Sequence, residues 1–337
     1  MDNLRRFLVV FVLMFFLTAS ICGLLLVGVY EGAKGEHVES LDVSDATYDP
    51  NSTDTTRVFR ENILCMVMDS GQSTPVCSFV VNVDSTSGNV SFLFVPQNIK
   101  YGVDQTKEVG TFGEYFGRYA WNTADRATSL LSSFLDVNVD YYFTISTEKF
   151  ADLISTFSTE DQGVQLEIPV DIAYESGSLK IDFKAGTQYL SGSDVVKFIQ
   201  FYQTEDGVYS AEMLPYYDGT DVKRLEQVQK FMHAFMTQKF TDAATDVYRD
   251  QFGESLYPYF STGNTNLTGS DLDAIASVIK NLRTNQLNYF IMNGDTVYNR
   301  KEYLEYNNTL RNLLISEEKL STVKAEDVLV SKFGTGA

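Results

Sequence analysis

The stretch from residue 184 to 240 constrains the fold of this chain more than any other part of its sequence. It begins AGTQYLSG, in which Gly186 and Gly192 indicate a tight turn. A dense apolar run follows at residues 195–201. After an acidic loop, apolar residues recur at three- and four-residue steps over residues 225–236, which predicts an amphipathic helix. Such a helix must pack its apolar face against a substantial core.

Two charged residues stand at the start of this helix. Asp221 and Arg224 are three residues apart, so their side chains can meet across one helical turn. A polar cluster at the start of a buried helix is either a binding site or a cap. A capping ion pair at a surface contributes roughly a few tenths of a kcal/mol. This stretch alone leaves both interpretations open.

Near the N-terminus lies a long apolar segment without a charge, FLVVFVLMFFLTASICGLLLVGVY at residues 7–30. As a helix it would reach about 36 Å, enough for a hydrocarbon core of about 30 Å. A cleaved signal peptide has a shorter apolar region and a small-residue cleavage site, whereas Ala33 and Gly35 come late. Two arginines precede the segment and acidic residues follow it. We therefore expect a single-pass transmembrane anchor at the cell membrane, with residues 1–6 cytoplasmic and the bulk of the chain outside.

The rest of the chain is strongly acidic, and the formal net charge of the whole chain is −19. Because binding to nucleic acid needs clustered Lys and Arg, no nucleic-acid partner is expected. Residues 31–58 are rich in Asp, Glu, Ser and Thr without apolar periodicity, which predicts a flexible acidic stalk. Residues 59–320 are predicted to form one extracytoplasmic domain, and residues 321–337 a weakly ordered tail.

Within the predicted domain, short β-branched or aromatic runs alternate with helical patterns. Strands are predicted at 63–68, 79–83, 90–95, 139–145, 164–172, 180–183 and 289–294. Helices are predicted in the second half of 115–135, after a cap at Ser146, at 222–240, after a start signal formed by Ser270 and Asp273, and in a last segment that contains Leu304, Leu310, Leu313 and Leu314. This order predicts an α/β fold: a single mixed-sheet α-β-α domain with helices on both faces, preceded by the transmembrane helix.

Cysteines and histidines are few. Cys65 and Cys77 lie in neighbouring apolar runs, where either a disulfide or two buried thiols is compatible with an exterior location. With Cys22 in the apolar segment and only His37 and His233 in the chain, a Cys/His zinc site is excluded. The apolar neighbours of His233 indicate a core histidine.

General catalytic motifs such as GxSxG, a phosphate-binding glycine loop or HExxH do not occur in the sequence. The order of its elements is instead similar to the LytR-CpsA-Psr family over residues 61–240, with a compatible tail to about residue 316. The resemblance rests on the segment ENILCMVMDS ending in Asp69, the VPQN corner, the AGTQYLSG turn and the D-x-x-R helix start at Asp221 and Arg224.

The resemblance implies a function as well as a fold. Active members of the family are extracytoplasmic phosphotransferases of the Gram-positive cell envelope. They transfer a glycopolymer from a polyprenyl-pyrophosphate carrier to peptidoglycan, with the lipid in a long apolar cavity. Arginines bind the pyrophosphate and aspartates bind a divalent metal, usually Mg²⁺. By this resemblance Asp69 is a metal ligand, Asp221 and Arg224 are catalytic, and a polyprenyl-linked glycopolymer and peptidoglycan are partners.

Most of the charged residues that the resemblance implies are replaced in this chain. The R-S-D-T motif corresponds to Thr-Pro-Val-Cys at 74–77, and P-R-D to Pro-Gln-Asn at 96–98. The R-F-R strand motif corresponds to Gln-Phe-Tyr at 200–202, and R-Q-Q to Gln-Val-Gln at 227–229. Each charge-assisted hydrogen bond to phosphate is worth about 1.5–3 kcal/mol. Losing four or five would remove on the order of 5–10 kcal/mol, which lowers a rate by several orders of magnitude.

Two interpretations follow. The first is an enzyme with weak or altered phosphotransfer that uses Mg²⁺. The second is a non-catalytic lipid- or glycopolymer-binding relative, a pseudoenzyme without a cofactor. Arg118, Arg126 and Lys223 are the cations that could replace the missing arginines, although solvated surface charge explains them better. Three or more basic side chains converging near Asp69 and Arg224 would favour the enzyme.

Overall fold

The fold is built on a mixed β-sheet, seen in a computed structural model that describes residues 58–101, 110–118, 123–158, 163–176, 179–202, 204–244, 246–260, 264–298, 302–313 and 328–329. The strands in these ranges are β1 (Arg60–Met68), β2 (Pro75–Asp84), β3 (Asn89–Phe94), β4 (Lys100–Tyr101), β5 (Gly110–Thr111), β6 (Tyr141–Ser146), β7 (Val164–Ile168), β8 (Ile172–Ser176), β9 (Leu179–Phe183), β10 (Gly186–Leu190), β11 (Leu287–Tyr298) and β12 (Glu302–Leu313).

The α-helices in the same ranges are α1 (Phe112–Arg118), α2 (Ala124–Leu135), α3 (Thr147–Thr156), α4 (Gly192–Gln200), α5 (Asp221–Phe240), α6 (Asp246–Asp250), α7 (Phe252–Leu256) and α8 (Gly269–Lys280). Short 3₁₀ turns occupy Tyr257–Tyr259 and Thr284–Gln286.

The central sheet has six strands in the order β12-β11-β3-β2-β1-β6. The pairs β1–β2, β2–β3 and β11–β12 are antiparallel, whereas β1–β6 and β3–β11 are parallel. Three two-stranded ladders, β4–β5, β7–β10 and β8–β9, accompany the sheet. The mixed sheet is therefore confirmed.

Helices cover both faces of the sheet, because its central strands are apolar on both sides. On β1, Ile63 and Val67 belong to a core shared with α3, α4, α5 and α8. Leu64 and Met66 of the same strand belong to a second core shared with α1 and α2. This three-layer arrangement confirms the predicted α-β-α architecture.

The glycine turn ahead of α4 has a steric basis. Gly186 has a φ of +107°, a conformation that side-chain-bearing residues rarely adopt. Gly192 packs so tightly against α3 that a Cβ would lie 1.9 Å from the carbonyl oxygen of Ala151. Ser191 then caps α4 through a capping box with Asp194.

Two predicted elements of this region differ in the structure. Residues 200–202 are not a strand, because Gln200 is the last residue of α4 and Phe201 is its C-cap. The capping box and the helical spacing of Val195, Phe198 and Ile199 outweigh the β-propensity of the run. The predicted strand 164–172 is interrupted: β7 ends at Ile168 before Pro169, and β8 begins at Ile172.

Two further predictions near the C-terminus need correction. The N-cap of α8 is Thr268, with Asp271 completing its capping box, rather than Ser270. The segment with Leu304 is not a helix but strand β12, antiparallel to β11. The sequence Asn307-Asn308-Thr309 within it has low helix propensity, and pairing with β11 provides the backbone hydrogen bonds.

The predicted anchor at 7–30 and almost all of the predicted stalk lie outside the described residues. Among the helices that the structure does describe, none has the length and apolar character to cross a membrane. Of the predicted C-terminal tail, only Val328 and Leu329 are described, and both are buried in the core beside α1 and α2.

Candidate functional site

The corner after β3, the start of β2, the end of α4 and the start of α5 meet at one place, which we call the Arg224 site. Hydrogen bonds from Arg224 and Gln97 connect these four elements. Of the positions that carry the family resemblance, Asp221, Arg224 and the VPQN corner meet here, whereas no hydrogen bond among the described residues joins Asp69 to them. Their chemistry differs from what the resemblance implies.

Asp221 and Arg224 form a buried ion pair at the start of α5. Arg224 Nε donates to Asp221 Oδ1 at 2.6 Å, and each side chain is only 3% exposed. Arg224 Nη1 donates to the carbonyl oxygen of Val76 at 2.9 Å and to that of Ile199 at 2.7 Å. The guanidinium therefore joins α5 to β2 and to the end of α4, and it is part of the packed interior.

The charge of Arg224 is held inside the protein. Burial is the largest influence and disfavours the charged guanidinium, but the Asp221 carboxylate together with Cys77 and Tyr202 outweighs it, and the net pKa of Arg224 is raised. Nη2 alone has no hydrogen-bond partner among the residues that the structure describes. The buried hydroxyl of Tyr217 likewise has none within this part of the chain. Sequence reasoning missed Tyr217, because nothing in its local pattern indicates proximity to Arg224.

Gln97 stabilises the same corner. Its backbone N–H donates to Asp221 Oδ2, so both carboxylate oxygens of Asp221 accept a hydrogen bond. Its side-chain amide donates to the carbonyl oxygens of Pro75 and Val76, the latter at 3.0 Å. A neutral amide at this position thus holds the β2 and β3 ends together instead of presenting a cation.

Asp69 closes the turn between β1 and β2. Its Oδ1 accepts from the backbone N–H of Ser73 at 2.7 Å and of Thr74 at 3.1 Å, while Oδ2 accepts from Ser73 Oγ at 3.1 Å. Both carboxylate oxygens are therefore engaged within the loop that joins β1 to β2. The only described contact that links Asp69 to another carboxylate is electrostatic, with Glu148.

The carboxylates near the Arg224 site do not match the ligand set that a divalent cation requires. Mg²⁺ prefers several oxygen ligands in octahedral geometry. Nowhere in the described ranges do three His, Cys, Asp or Glu side chains come together in an arrangement able to hold a metal ion. Asp69 with its engaged oxygens, and Asp221 with its bound guanidinium, do not fit such a site by themselves.

The other candidate cations do not complete an arginine cluster. Arg126 is exposed on α2, and Lys223 pairs with Glu226 at 2.9 Å on the next turn of α5. The side chain of Arg118 lies outside the described residues. Among the described side chains, Arg224 is therefore the one cation shown at the site, and it is paired.

An apolar cavity of about 180 Å³ lies between the sheet and helices α3, α5, α7 and α8. Its lining is entirely apolar and includes Val67, Phe92, Phe143, Met232 and Phe235. An apolar cavity of about 150 Å³ in another protein stays dry and accepts benzene. This cavity is therefore suited to an apolar ligand, and it agrees with the apolar cavity expected from the resemblance.

Cys65 and Cys77 are free thiols, which favours two buried thiols over a disulfide, the two alternatives that the sequence left open. Burial raises the pKa of Cys65 and of Cys77 to about 12, so neither is a reactive nucleophile at neutral pH. Cys65 lines the apolar cavity. His233 is half-buried against Tyr289 and burial lowers its pKa, in agreement with a core histidine.

The fold and site define a three-layer α/β protein with a buried Asp–Arg pair at the start of α5 and an apolar cavity under the same helix. The family model LytR_cpsA_psr matches residues 77–326, so the chain belongs to the LytR_cpsA_psr family.

Solved structures show the same fold. TagV of B. subtilis is 15% identical with a TM-score of 0.56, covering 74% of this chain and 92% of its own. A LytR-Csp2A-Psr enzyme from Actinomyces oris is 17% identical with a TM-score of 0.53, covering 76% and 88%. TagT bound to LI-WTA is 14% identical with a TM-score of 0.51, covering 78% and 90%. No curated protein sequence matches the chain.

Proposed function

We propose that this protein is an extracytoplasmic, lipid-binding member of its family that has largely lost phosphotransfer activity. The observation that carries the proposal is the state of Arg224. Its guanidinium is 3% exposed and bonded to Asp221 and two backbone carbonyls. A phosphotransferase needs cations free to neutralise charge on the phosphoryl oxygens.

The ligand of this proposal is the apolar portion of a polyprenyl-linked glycopolymer. Support comes from the cavity, whose lining is apolar throughout, and from the fold shared with TagT, which was solved bound to LI-WTA. The cavity volume of about 180 Å³ is too small for a long isoprenoid chain. We therefore expect the half-buried side chains of Phe252, Leu256 and Phe260, at the α7 edge of the cavity, to move apart on binding. Peptidoglycan is the partner that the resemblance implies for the bound glycopolymer.

The proposal places the domain outside the cell membrane. The charge-free segment at residues 7–30 serves as the single-pass anchor, and the acidic stalk at 31–58 separates the domain from the bilayer. Protease added to intact cells should then degrade the domain, and protection from that protease would overturn the orientation.

A weak transferase is the second candidate, favoured by one observation. Arg224 Nη2 has no hydrogen-bond partner among the described groups, so this nitrogen remains to contact a phosphate if the corner opens. In that case Asp221 and Arg224 would act in catalysis, and Asp69 would help to hold Mg²⁺ only together with oxygen ligands from the substrate, where the ion would neutralise phosphoryl charge.

Binding and turnover can be measured separately on the full chain in detergent micelles. A fluorescent polyprenyl-pyrophosphate analogue should bind saturably, and Val67→Phe should weaken binding because it fills the cavity. Val208→Phe makes the same change at a side chain that is 67% exposed and should leave binding unchanged. Equal binding by all three proteins would refute the cavity as the lipid site. Phosphate release in the presence of Mg²⁺ would favour the transferase.

A further inference from the structure

A row of polar side chains on α5 and β11, each with a buried polar atom, has no role in the proposed function. Gln229, His233 and Thr237 follow one another at four-residue steps, which places them on one face of α5. Tyr289 of β11 reaches this face at His233, where its ring meets the imidazole edge-on at 5.4 Å between centroids. We call these four residues the α5–β11 seam.

Every member of the seam has a buried polar atom without a hydrogen-bond partner among the described groups. These atoms are Gln229 Nε2, His233 Nδ1, Thr237 Oγ1 and Tyr289 Oη. One such atom disfavours folding by roughly five- to a hundredfold. Four of them on one interface are difficult to reconcile with a marginally stable fold unless something hydrogen-bonds to them.

The chemistry of the seam defines what fits it. The Gln229 amide nitrogen donates, while the hydroxyls of Thr237 and Tyr289 both donate and accept. The neighbouring cations of α5 are engaged elsewhere: Lys230 lies over the ring of Tyr216, and Lys239 donates to a backbone carbonyl.

Burial is the single cause that shifts the pKa of His233, and it favours the neutral imidazole. The seam therefore presents no net charge that an ion would need, and a small neutral molecule that both donates and accepts satisfies it.

We propose that the α5–β11 seam is an internal hydration site, in which ordered water molecules bridge α5 to β11. The consequence concerns the whole site region. Helix α5 carries Arg224 in its first turn and, through Met232 and Phe235, one wall of the apolar cavity. Bridging water on the adjoining face of the same helix would help to set the position of both. The inference does not depend on whether the cavity binds lipid.

Two nearly isosteric substitutions test the proposal, because it predicts that each destabilises the folded protein rather than stabilising it. If water bridges the seam, Tyr289→Phe and Thr237→Val each remove one bridging partner and shift the unfolding equilibrium of the full chain about five- to thirtyfold toward the unfolded state. If the hydroxyls are unsatisfied, both substitutions relieve a penalty and stabilise the protein. Tyr189→Phe, at a ring that is 52% exposed, is the matched control and should have no effect.

A second measurement reads the water directly. Magnetic relaxation dispersion of water oxygen-17 counts long-lived internal water molecules in the full chain. The count should fall by at least one in the Tyr289→Phe/Thr237→Val double variant and stay unchanged in Tyr189→Phe. Stabilisation by Tyr289→Phe, or an unchanged count in the double variant, overturns the proposal.

Discussion

The structural role of Arg224 makes a quantitative prediction. Arg224→Met keeps the approximate length of the side chain but removes its charge and its donors. Asp221 then loses its ionic partner at 2.6 Å, and the carbonyl oxygens of Val76 and Ile199 each lose a hydrogen bond. Breaking a buried ion pair by removing one partner costs about 3–5 kcal/mol. We expect this loss in the free energy of unfolding.

The same helix turn offers a matched control. Lys223 and Glu226 are also three residues apart and pair at 2.9 Å, but their side chains are 32% and 25% exposed. Partly exposed pairs of this kind contribute about 0–1 kcal/mol. Lys223→Met should therefore change stability by no more than that amount, although the substitution removes the same unit of charge.

Urea unfolding of the full chain, followed by far-ultraviolet circular dichroism, measures both effects. With a slope of about 3 kcal/mol per M, Arg224→Met should lower the midpoint by about 1 M or more, and Lys223→Met by at most about 0.3 M. A double variant that also carries Asp221→Asn should recover part of the loss, since no unpaired carboxylate remains. Equal small losses in Arg224→Met and Lys223→Met would refute the structural role.

Three further predictions concern other parts of the fold. Burial raises the thiol pKa of Cys65 and Cys77 to about 12. Alkylation of both thiols at pH 8, followed by mass spectrometry, should therefore be about a thousandfold slower in the native chain than in the unfolded chain. The prediction is contradicted if the two thiols fail to react in unfolded protein to which no reductant has been added. Burial lowers the pKa of His233, so its contribution to stability is present above about pH 6.5 and is lost as the pH falls below that value. His233→Gln should reduce the change in the free energy of unfolding as the pH falls below about 6.5, whereas His37→Gln should leave that change as it is in the original chain. Gly192→Ala should destabilise the protein by about 1–3 kcal/mol in thermal unfolding, because its Cβ would overlap a carbonyl of α3; Gly71→Ala, with ordinary contacts, is the control.

The architecture was largely predictable because it depends on local pattern. The apolar runs of β1, β2 and β3 correctly predicted central strands covered on both faces. The prediction of a strand at residues 200–202 came from the R-F-R strand motif of the resemblance, and it is wrong because the helix that begins at Gly192 continues to Gln200. The prediction of a helix in the segment containing Leu304 is also wrong. Its leucine spacing fits a helix, while its pairing with β11 depends on distant residues that no local pattern includes.

The sequence indicates which residues form the candidate site, but it does not indicate how deeply Arg224 is buried or which groups it binds. The order of motifs correctly placed Asp221, Arg224 and the β3 corner together. That Arg224 is sealed by carbonyls of Val76 and Ile199 could not be predicted, because it depends on how three separate elements pack. The engagement of both Asp69 oxygens is more local, and the sequence Asp-Ser-Gly-Gln-Ser-Thr that follows β1 is typical of such a turn.

Single-turnover phosphotransfer is the most direct test of the proposed loss of activity. The full chain in detergent would be saturated with a polyprenyl-pyrophosphate glycolipid and Mg²⁺ in the presence of peptidoglycan as the acceptor, and the Actinomyces oris enzyme would serve as a positive control. Because Arg224 is buried and hydrogen-bonded within the protein, we predict bound lipid without detectable phosphate transfer. Turnover that is abolished in a folded Arg224→Lys variant, while Lys223→Met retains it, would contradict the account.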